Sequence, residues 1–444
     1  MLVDPGWRGR LFRATMRRMK QRRSDKARPP VTLSREGQRR LDEALERHQR
    51  GEIAEAIVGY RAVLAEAPKN VDALVNLGSG LTATGYPTEA AAVLGRAREA
   101  AAKLPRAQND IGVCLFELGR YDDAIAALRA AVTLTPGYAD AWKNLGCALN
   151  EAGREAEATP ILQQAVLLQP LLAEGWFELF RAVFDADRPG PSVEALSRAV
   201  ASNPGYAWAR YCLGVALDLA GDARAAKQQF QTLARETPHL AEAVDGWRYI
   251  QERRTKETRL FVSTKRTLDL AMEQARIEGL VLEFGVRYGV STRWIAAGSG
   301  GRTVHGFDSF EGLPEMWRDQ PKGAYSTHGE RPDLPPNVAL HPGLFEDALP
   351  AFARDARLGE GDAGAVRFAH VDCDLYSATK VILDALAPGI RPGTVIVFDE
   401  YVVNPGWRED EHKAFREAVS SRGWQYEYLA MSPLTGQAAV RILG

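Results

Sequence analysis

The chain has 444 residues, of which 45% are hydrophobic and 25% charged, with a formal net charge of −1. This length favours two or three domains, and the composition is ordinary for a globular protein. No apolar run approaches the ~18 residues of a transmembrane helix, and no uninterrupted apolar stretch near the N-terminus indicates a secretory signal. We therefore expect no integral membrane segment. The four cysteines are scattered without the spacing of a metal site, which predicts a reduced cytoplasmic compartment.

Residues 1–36 are predicted to form a basic, flexible arm. The first 40 residues contain thirteen Lys or Arg and three acids, so they carry about +10 and the remainder about −11. One interpretation is a short amphipathic helix that contacts an anionic membrane surface or nucleic acid. The alternative, which we favour, is a disordered and solubilising tail, because only about two apolar turns are available. We expect a cytoplasmic protein, peripheral at the membrane at most through this arm, and no nucleic-acid partner.

Residues 37–240 repeat with a period of 34 residues. Small residues would let two helices of each repeat approach closely, one glycine would end the first helix in a left-handed conformation, and a proline would end the second. The positions that share the period are Pro68, Pro136, Pro170, Pro204 and Pro238; Gly51, Gly85, Gly119, Gly153 and Gly221; Gly78, Gly112, Gly146 and Gly214; Ala56, Ala90, Ala124, Ala158 and Ala226. The pattern resembles the tetratricopeptide repeat family, which implies an α-solenoid of about six repeats. The fifth repeat is the weakest, because Phe180, Asp187 and Ser192 replace two glycines and an alanine.

Such a solenoid is expected to bind a protein or peptide partner in its groove. Asn76 and Asn144 would hold a peptide backbone there, although both are also ordinary polar positions on a first helix of a repeat. Residues 241–278 are charged and helical in pattern, and we expect them to cap the solenoid and lead into a second domain.

Residues 279–444 change to alternating strands and helices. Strands are predicted near 280–284, 303–307, 338–341, 366–371 and 394–398, with helices between them, for example over 291–297 and 377–386. Two late β-type runs, near 424–429 and 437–443, predict an antiparallel hairpin at the edge of the sheet.

Acidic residues stand at the ends of four of these strands. Glu283 and Gly285 end the first, Asp308 ends the second, and the pairs Asp372/Asp374 and Asp399/Glu400 follow two later ones. Ligands of open α/β sheets bind outside the carboxyl ends of the strands, so these residues should converge on one crevice. A nucleoside beside a divalent metal fits this pattern. No lysine of a triphosphate-binding loop follows the glycines.

Five segments of this domain resemble class I S-adenosylmethionine-dependent methyltransferases, and more narrowly the macrocin-type sugar O-methyltransferases. They read Glu-Phe-Gly-Val from 283, Asp-Ser-Phe-Glu-Gly-Leu-Pro from 308, Gly-Leu-Phe-Glu-Asp-Ala-Leu-Pro from 343, His-Val-Asp-Cys-Asp-Leu-Tyr-Ser from 370 and Val-Phe-Asp-Glu-Tyr from 397. The resemblance implies an α/β Rossmann-like domain that binds S-adenosylmethionine.

The resemblance also implies roles for individual residues. Cofactor-binding positions would be Glu283, Gly285, Gly289, Ser291, Asp308, Ser309, Phe345 and Glu346. Asp372, Asp399 and Glu400 would hold Mg²⁺, with Asp372 catalytic through the metal, although the family often has Asp-Asp where this chain has Asp399-Glu400. His412 is a candidate base, and the alternative is a surface histidine. Asp374 is interpreted as structural or as a further ligand.

Three functions are consistent with these features. The first is O-methyl transfer to a sugar or glycan hydroxyl, with the repeats recruiting a carrier or partner. The second is methyl transfer to a protein that the repeats bind, and the third is a non-enzymatic scaffold. The long loop 313–337, with Trp317, Tyr325 and His328, would either cover the substrate or decorate the surface.

Overall fold

The computed structural model describes residues 33–444. The predicted basic arm therefore lies almost wholly outside the described residues. Within residues 33–444, no helix is both long enough and apolar enough to cross a membrane.

The N-terminal part is a solenoid of helix pairs, as the 34-residue period predicts. Two antiparallel helices make each of six repeats, with the period's proline at the end of most second helices. The helices are α1 (Arg35–Arg50), α2 (Ile53–Glu66), α3 (Val71–Ala83), α4 (Pro87–Ala100), α5 (Pro105–Glu117), α6 (Tyr121–Leu134), α7 (Ala139–Glu151), α8 (Glu155–Leu168), α9 (Ala173–Val183), α10 (Gly190–Ser202), α11 (Ala207–Leu219) and α12 (Ala223–Glu236).

Two kinds of glycine shape each repeat. The turn glycines between first and second helices have left-handed φ angles, for example +67° at Gly119, which side chains with a Cβ rarely adopt. Glycines inside the first helices allow close packing: a Cβ on Gly78 would lie 2.5 Å from a Leu94 methyl. In the fifth repeat Asp187 stands in place of the turn glycine, and helix α9 already ends at Val183.

A short connection closes the solenoid and leads into the sheet. It comprises a 3₁₀ turn (Pro238–Leu240) and helix α13 (Ala241–Arg253). The indole N–H of Trp247 donates to Asp218 of the last repeat at 2.9 Å, and the Tyr249 hydroxyl lies 2.7 Å from that of Tyr428 in the sheet domain. Helix α13 therefore contacts both parts of the molecule.

The C-terminal part is an eight-stranded mixed sheet flanked by helices. Its strand order is β1-β7-β8-β6-β5-β2-β3-β4, with β8 antiparallel to both of its neighbours. The strands are β1 (Arg259–Leu260), β2 (Leu280–Phe284), β3 (Val304–Asp308), β4 (Val338–Pro342), β5 (Val366–Val371), β6 (Val395–Phe398), β7 (Tyr426–Met431) and β8 (Ala438–Ile442). The helices are α14 (Thr264–Gln274), α15 (Val290–Gly298), α16 (Phe345–Asp355), α17 (Tyr376–Leu386) and α18 (Glu411–Arg422).

The sheet differs from its sequence-based prediction at one edge. The hairpin β7–β8 forms as predicted, but the two-residue strand β1 pairs in parallel with β7 and becomes the edge. A strand of two residues has too few positions to show an alternating pattern, so periodicity could not predict it.

Candidate active site

A cavity of about 390 Å³ opens at the carboxyl ends of strands β2, β3 and β5. This volume is in the range of small-molecule binding sites. Six of the eight predicted cofactor residues line the cavity, and Gly289 and Glu283 do not. Those that line it are Gly285, Ser291, Asp308, Ser309, Phe345 and Glu346. The parallel strands thus bring together residues that are up to 61 positions apart in the chain.

The turn after β2 passes very close to the end of β5. Gly285 has φ +97°, and a Cβ there would overlap the carbonyl oxygen of Asp372. Any other residue would force these two strand ends apart. Gly289 is also left-handed and immediately precedes helix α15, which no side chain caps among the described residues.

Asp308, at the end of the neighbouring strand β3, stabilises this turn by hydrogen bonds. Its Oδ2 accepts hydrogen bonds from the backbone N–H groups of Val286 at 2.8 Å and Arg287 at 2.7 Å. Its Oδ1 accepts from the N–H of Phe310 at 2.7 Å. A carboxylate has about four acceptor positions, so Asp308 keeps acceptor capacity for a ligand hydroxyl while it holds the turn.

Glu283 lies beneath the cavity rather than in it. Its side chain is fully buried, and its Oε1 is 3.2 Å from Nδ1 of His370, the residue directly opposite on β5. Nε2 of His370 is 3.8 Å from Asp399. Burial opposes a charge on His370, but Asp399 and Glu283 raise its pKa well above the ordinary value. This placement does not support the predicted contact of Glu283 with the cofactor, because its side chain contacts His370 on the neighbouring strand β5.

Four acids cluster beside the cavity, and only Asp372 and Asp374 line it. Asp372, Asp374 and Glu400 can each offer an oxygen with all three atoms within 4.8 Å of one another, as can Asp372 and Asp399 with a nitrogen of His370. Asp374, left open by the sequence, therefore joins the predicted metal residues. Asp399 and Glu400 lie behind them, each at most 5% exposed.

Burial and mutual repulsion shift the protonation of this cluster. Burial and the nearby Asp399 raise the pKa of Asp372 to about 7, and burial with Glu400 raises that of Asp374 to about 7. The pKa of Glu400 is raised to about 8, by burial and then by Asp399. The pKa of Asp399 is lowered instead. Burial alone would raise it, but His370 and a hydrogen bond from Gln437 outweigh that effect.

His412, the predicted base, has no place at the cavity. The rings of Tyr249, Tyr401 and Trp407 surround it, with centroids 4.8–5.2 Å from its own. It is 9% exposed, and burial followed by Arg408 lowers its pKa to about 4. The structure corrects the surface alternative as well, because this face of α18 packs inward.

The residue before it, Glu411, does reach the acidic cluster. Its carboxylate accepts the backbone N–H of Glu400 at 2.9 Å, and it is fully buried. Burial, with Glu400 next in importance, raises the pKa of Glu411 well above the ordinary value. Nothing in the sequence distinguished this acid from its exposed neighbours.

The long loop after β3 covers one side of the cavity. Leu313 and Tyr325 line it, while Trp317 packs with Leu313 and Leu375 in a small apolar cluster. The loop is also attached to the solenoid: Nε2 of His328 lies 2.8 Å from the carbonyl oxygen of Thr84. Of the three loop residues predicted as a cover, Tyr325 lines the cavity, Trp317 packs against Leu313 and Leu375, and His328 contacts the second repeat.

The solenoid itself supplies part of the cavity wall. Glu117, Gly119 and Tyr121, from the turn of the third repeat, are among the lining residues. The sequence does not predict this contact, because the turn residues of a repeat look the same whatever they will contact.

In comparisons with known proteins, a family described as a methyltransferase domain matches residues 282–401, and two tetratricopeptide repeat families match residues 83–139 and 115–176. The chain carries tetratricopeptide repeats followed by a methyltransferase domain. It is similar to the 8-demethyl-8-(2,3-dimethoxy-alpha-L-rhamnosyl)-tetracenomycin-C 4'-O-methyltransferase of Streptomyces olivaceus, at 26% identity over 155 residues. That match covers 29% of this chain and 55% of the relative, so the chain spans about half the length of the curated relative.

Solved structures similar to this chain include two repeat proteins. PilF of Pseudomonas aeruginosa is 20% identical with a TM-score of 0.40, and the match covers 46% of this chain and 92% of PilF. YrrB, described as a TPR protein with an unusual peptide-binding site, is 19% identical with a TM-score of 0.34, over 40% of this chain and 92% of YrrB.

Proposed function

We propose that this protein transfers the methyl group of S-adenosylmethionine to a sugar or glycan hydroxyl with the help of a divalent cation, Mg²⁺. The observation that carries the proposal is that one cavity holds both halves of such a site. The glycine turn at Gly285 and Asp308 line this cavity, and so do Asp372 and Asp374.

The cofactor half rests on the domain family, which implies S-adenosylmethionine. Asp308 is suited to the ribose, because acids at this strand end accept paired hydroxyl groups. The ring of Phe345 packs edge-on against the buried Phe284, with ring centroids 5.6 Å apart. It offers an apolar surface for the adenine just beyond the carboxyl end of β4. The uncapped start of helix α15, at Ser291, favours a negatively charged group such as the amino-acid carboxylate.

The acidic cluster fits a hard divalent cation. Asp372, Asp374 and Glu400 offer three oxygens, the ligand type that Mg²⁺ prefers, whereas the alternative set includes an imidazole nitrogen. Burial, and then repulsion from the neighbouring carboxylates, raises the pKa values of these three acids. Bound there, the cation would supply Lewis-acid activation of a hydroxyl. Asp372 and Asp374 would orient that hydroxyl, since both face the cavity.

The sugar acceptor is supported by two similarities. The motifs resemble macrocin-type sugar O-methyltransferases, and the printed name of the curated relative describes methylation of a rhamnosyl group. We further propose that the repeats recruit the protein or carrier that presents the acceptor.

The test is transfer of labelled methyl from S-adenosylmethionine to a panel of free and lipid-linked glycosides. We expect transfer by the wild type, at least a tenfold loss on chelation of divalent cations, and a similar loss in Asp372→Asn. Manganese binding followed by electron paramagnetic resonance should weaken in the same variant. Undiminished transfer by Asp372→Asn would remove the metal from the proposal.

A second candidate, methyl transfer to a protein side chain, is favoured by the solenoid residues in the cavity wall. Deleting the repeats cannot separate the two, because the deletion would also remove Glu117 and Tyr121 from the cavity. Labelling a cell extract with the purified protein separates them: label that protease releases as methylated amino acids favours the protein acceptor, and label in saccharides favours the glycan.

A further inference from the structure

The solenoid touches the methyltransferase domain through the turns of three successive repeats. A Cβ on Gly85 would lie 2.5 Å from the Ser326 carbonyl oxygen, and one on Gly153 would lie 2.6 Å from the Lys265 side chain. Between them, a Cβ on Gly119 would overlap Val290 at the start of helix α15. These contacts leave no room for a side chain at Gly119, so the third repeat is seated directly on the cofactor half of the site.

The contacts of the third repeat extend on both sides of Gly119. The Tyr121 ring stacks on Trp294 of helix α15, with ring centroids 6.3 Å apart. Two residues before Gly119, Glu117 ends helix α5 and is half-buried where it lines the cavity. The solenoid therefore contributes an acidic residue to the cavity lining, two residues from the turn that contacts Val290 of α15.

The two charged features at this end of the cavity have opposite sign. The start of α15 is the positive end of a helix, and Val290 and Ser291 of its first turn line the cavity. Glu117 is an acidic residue in the same cavity lining. An α-amino acid has both a carboxylate and an ammonium group, so it matches the pair. The amino-acid end of S-adenosylmethionine is such a group.

Glu283, a predicted cofactor-binding residue of the methyltransferase domain, is not available for that ammonium group. Glu283 is fully buried and lies against His370. Burial removes it from contact with any molecule in the cavity. Other acids, such as Glu315 and Glu346, also line the cavity, but Glu117 is the one that lies two residues from Gly119, whose turn contacts Val290 of helix α15.

We propose that Glu117 of the third repeat binds the α-ammonium group of S-adenosylmethionine, so that the solenoid is a structural part of the cofactor site. The inference rests on the proposed function. It makes the methyltransferase domain dependent on the repeats for cofactor affinity, and it would let a partner bound to the solenoid influence that affinity through the turn at Gly119.

The experiment compares two ligands by calorimetry on the full chain. S-adenosylmethionine carries the ammonium group, and methylthioadenosine has the same nucleoside and lacks the amino-acid end. Glu117→Gln removes the charge and keeps the shape. Asp122→Asn is the matched control, because Asp122 lies on the same turn with a side chain 96% exposed.

We expect Glu117→Gln to bind S-adenosylmethionine roughly tenfold to a hundredfold more weakly, the usual range for a lost charge-assisted hydrogen bond. Its affinity for methylthioadenosine should stay within a factor of two of wild type, which also shows that the variant is folded. Asp122→Asn should match wild type with both ligands.

Three results would overturn the inference. Unchanged binding of S-adenosylmethionine by Glu117→Gln would show that the ammonium group is bound elsewhere. Equal weakening of both ligands would show a general disturbance of the cavity. Wild-type protein that binds methylthioadenosine no more weakly than S-adenosylmethionine would show that the amino-acid end is not recognised. Wild-type protein that binds neither ligand refutes the proposed function, and the inference with it.

Discussion

Substituting alanine for Gly119 tests whether the solenoid and the methyltransferase domain form one site. Two costs are expected. The left-handed φ of +67° costs a residue with a Cβ about 1–2 kcal/mol. The overlap with Val290, a stiff β-branched side chain, adds about 1–3 kcal/mol of overpacking. The free energy of unfolding should fall by about 2–5 kcal/mol.

Gly221 provides the matched control for this substitution. It occupies the equivalent turn of the sixth repeat with φ +83°, and among residues 33–444 a Cβ there would contact nothing within 4 Å beyond its own chain neighbours. Gly221→Ala should therefore lower the free energy of unfolding by only about 1–2 kcal/mol, the cost of the left-handed backbone angle. The difference between the two variants isolates the contact between the third repeat and helix α15.

The assay is denaturant unfolding of both variants, together with their affinity for S-adenosylmethionine. Gly119→Ala should be the less stable variant and should also bind the cofactor more weakly, whereas Gly221→Ala should keep wild-type affinity. If the two variants lose the same stability and both bind the cofactor normally, the third repeat does not pack against helix α15 as the structure indicates.

Two further predictions concern the solenoid. Arg181 is buried between Glu178 and Glu151, so Arg181→Met should lower the free energy of unfolding by about 3–5 kcal/mol. Arg188→Met removes an exposed ion pair and should change this free energy by less than about 1 kcal/mol. Equal losses of the two variants in thermal unfolding would contradict this prediction. Burial lowers the pKa of His48 to about 4 from an ordinary 6.5. As the pH falls, the unfolded chain therefore binds a proton before the folded one, and the free energy of unfolding should decrease by roughly 3 kcal/mol between pH 6.5 and 4. A His48→Gln variant with the same pH dependence of stability would refute this prediction.

Much of the fold could be predicted because its signals are local. Turn glycines such as Gly51 and Gly119 adopt the left-handed angle that the 34-residue period implies, and the apolar runs of β2, β5 and β6 lie within a residue or two of their predicted ranges. Asp308 and Asp372 could be placed at one crevice because parallel strands end on the same side of a sheet.

The rest depends on contacts between distant parts of the chain. Glu283 is withdrawn from the cavity by His370, 87 residues away, and His412 is enclosed by a tyrosine from helix α13. Neither partner is marked in the sequence. Glu117 and Tyr121 look like ordinary repeat residues until the docking of the solenoid brings them to the cavity.

The central claim, that this cavity is a cofactor site, is tested most directly by titrating S-adenosylmethionine into the purified full chain by calorimetry. We expect saturable binding of one cofactor per chain, weakened at least tenfold by Asp308→Ala, because Asp308 both holds the glycine turn and lines the cavity. Absence of binding by the wild-type protein, with and without Mg²⁺, would contradict it.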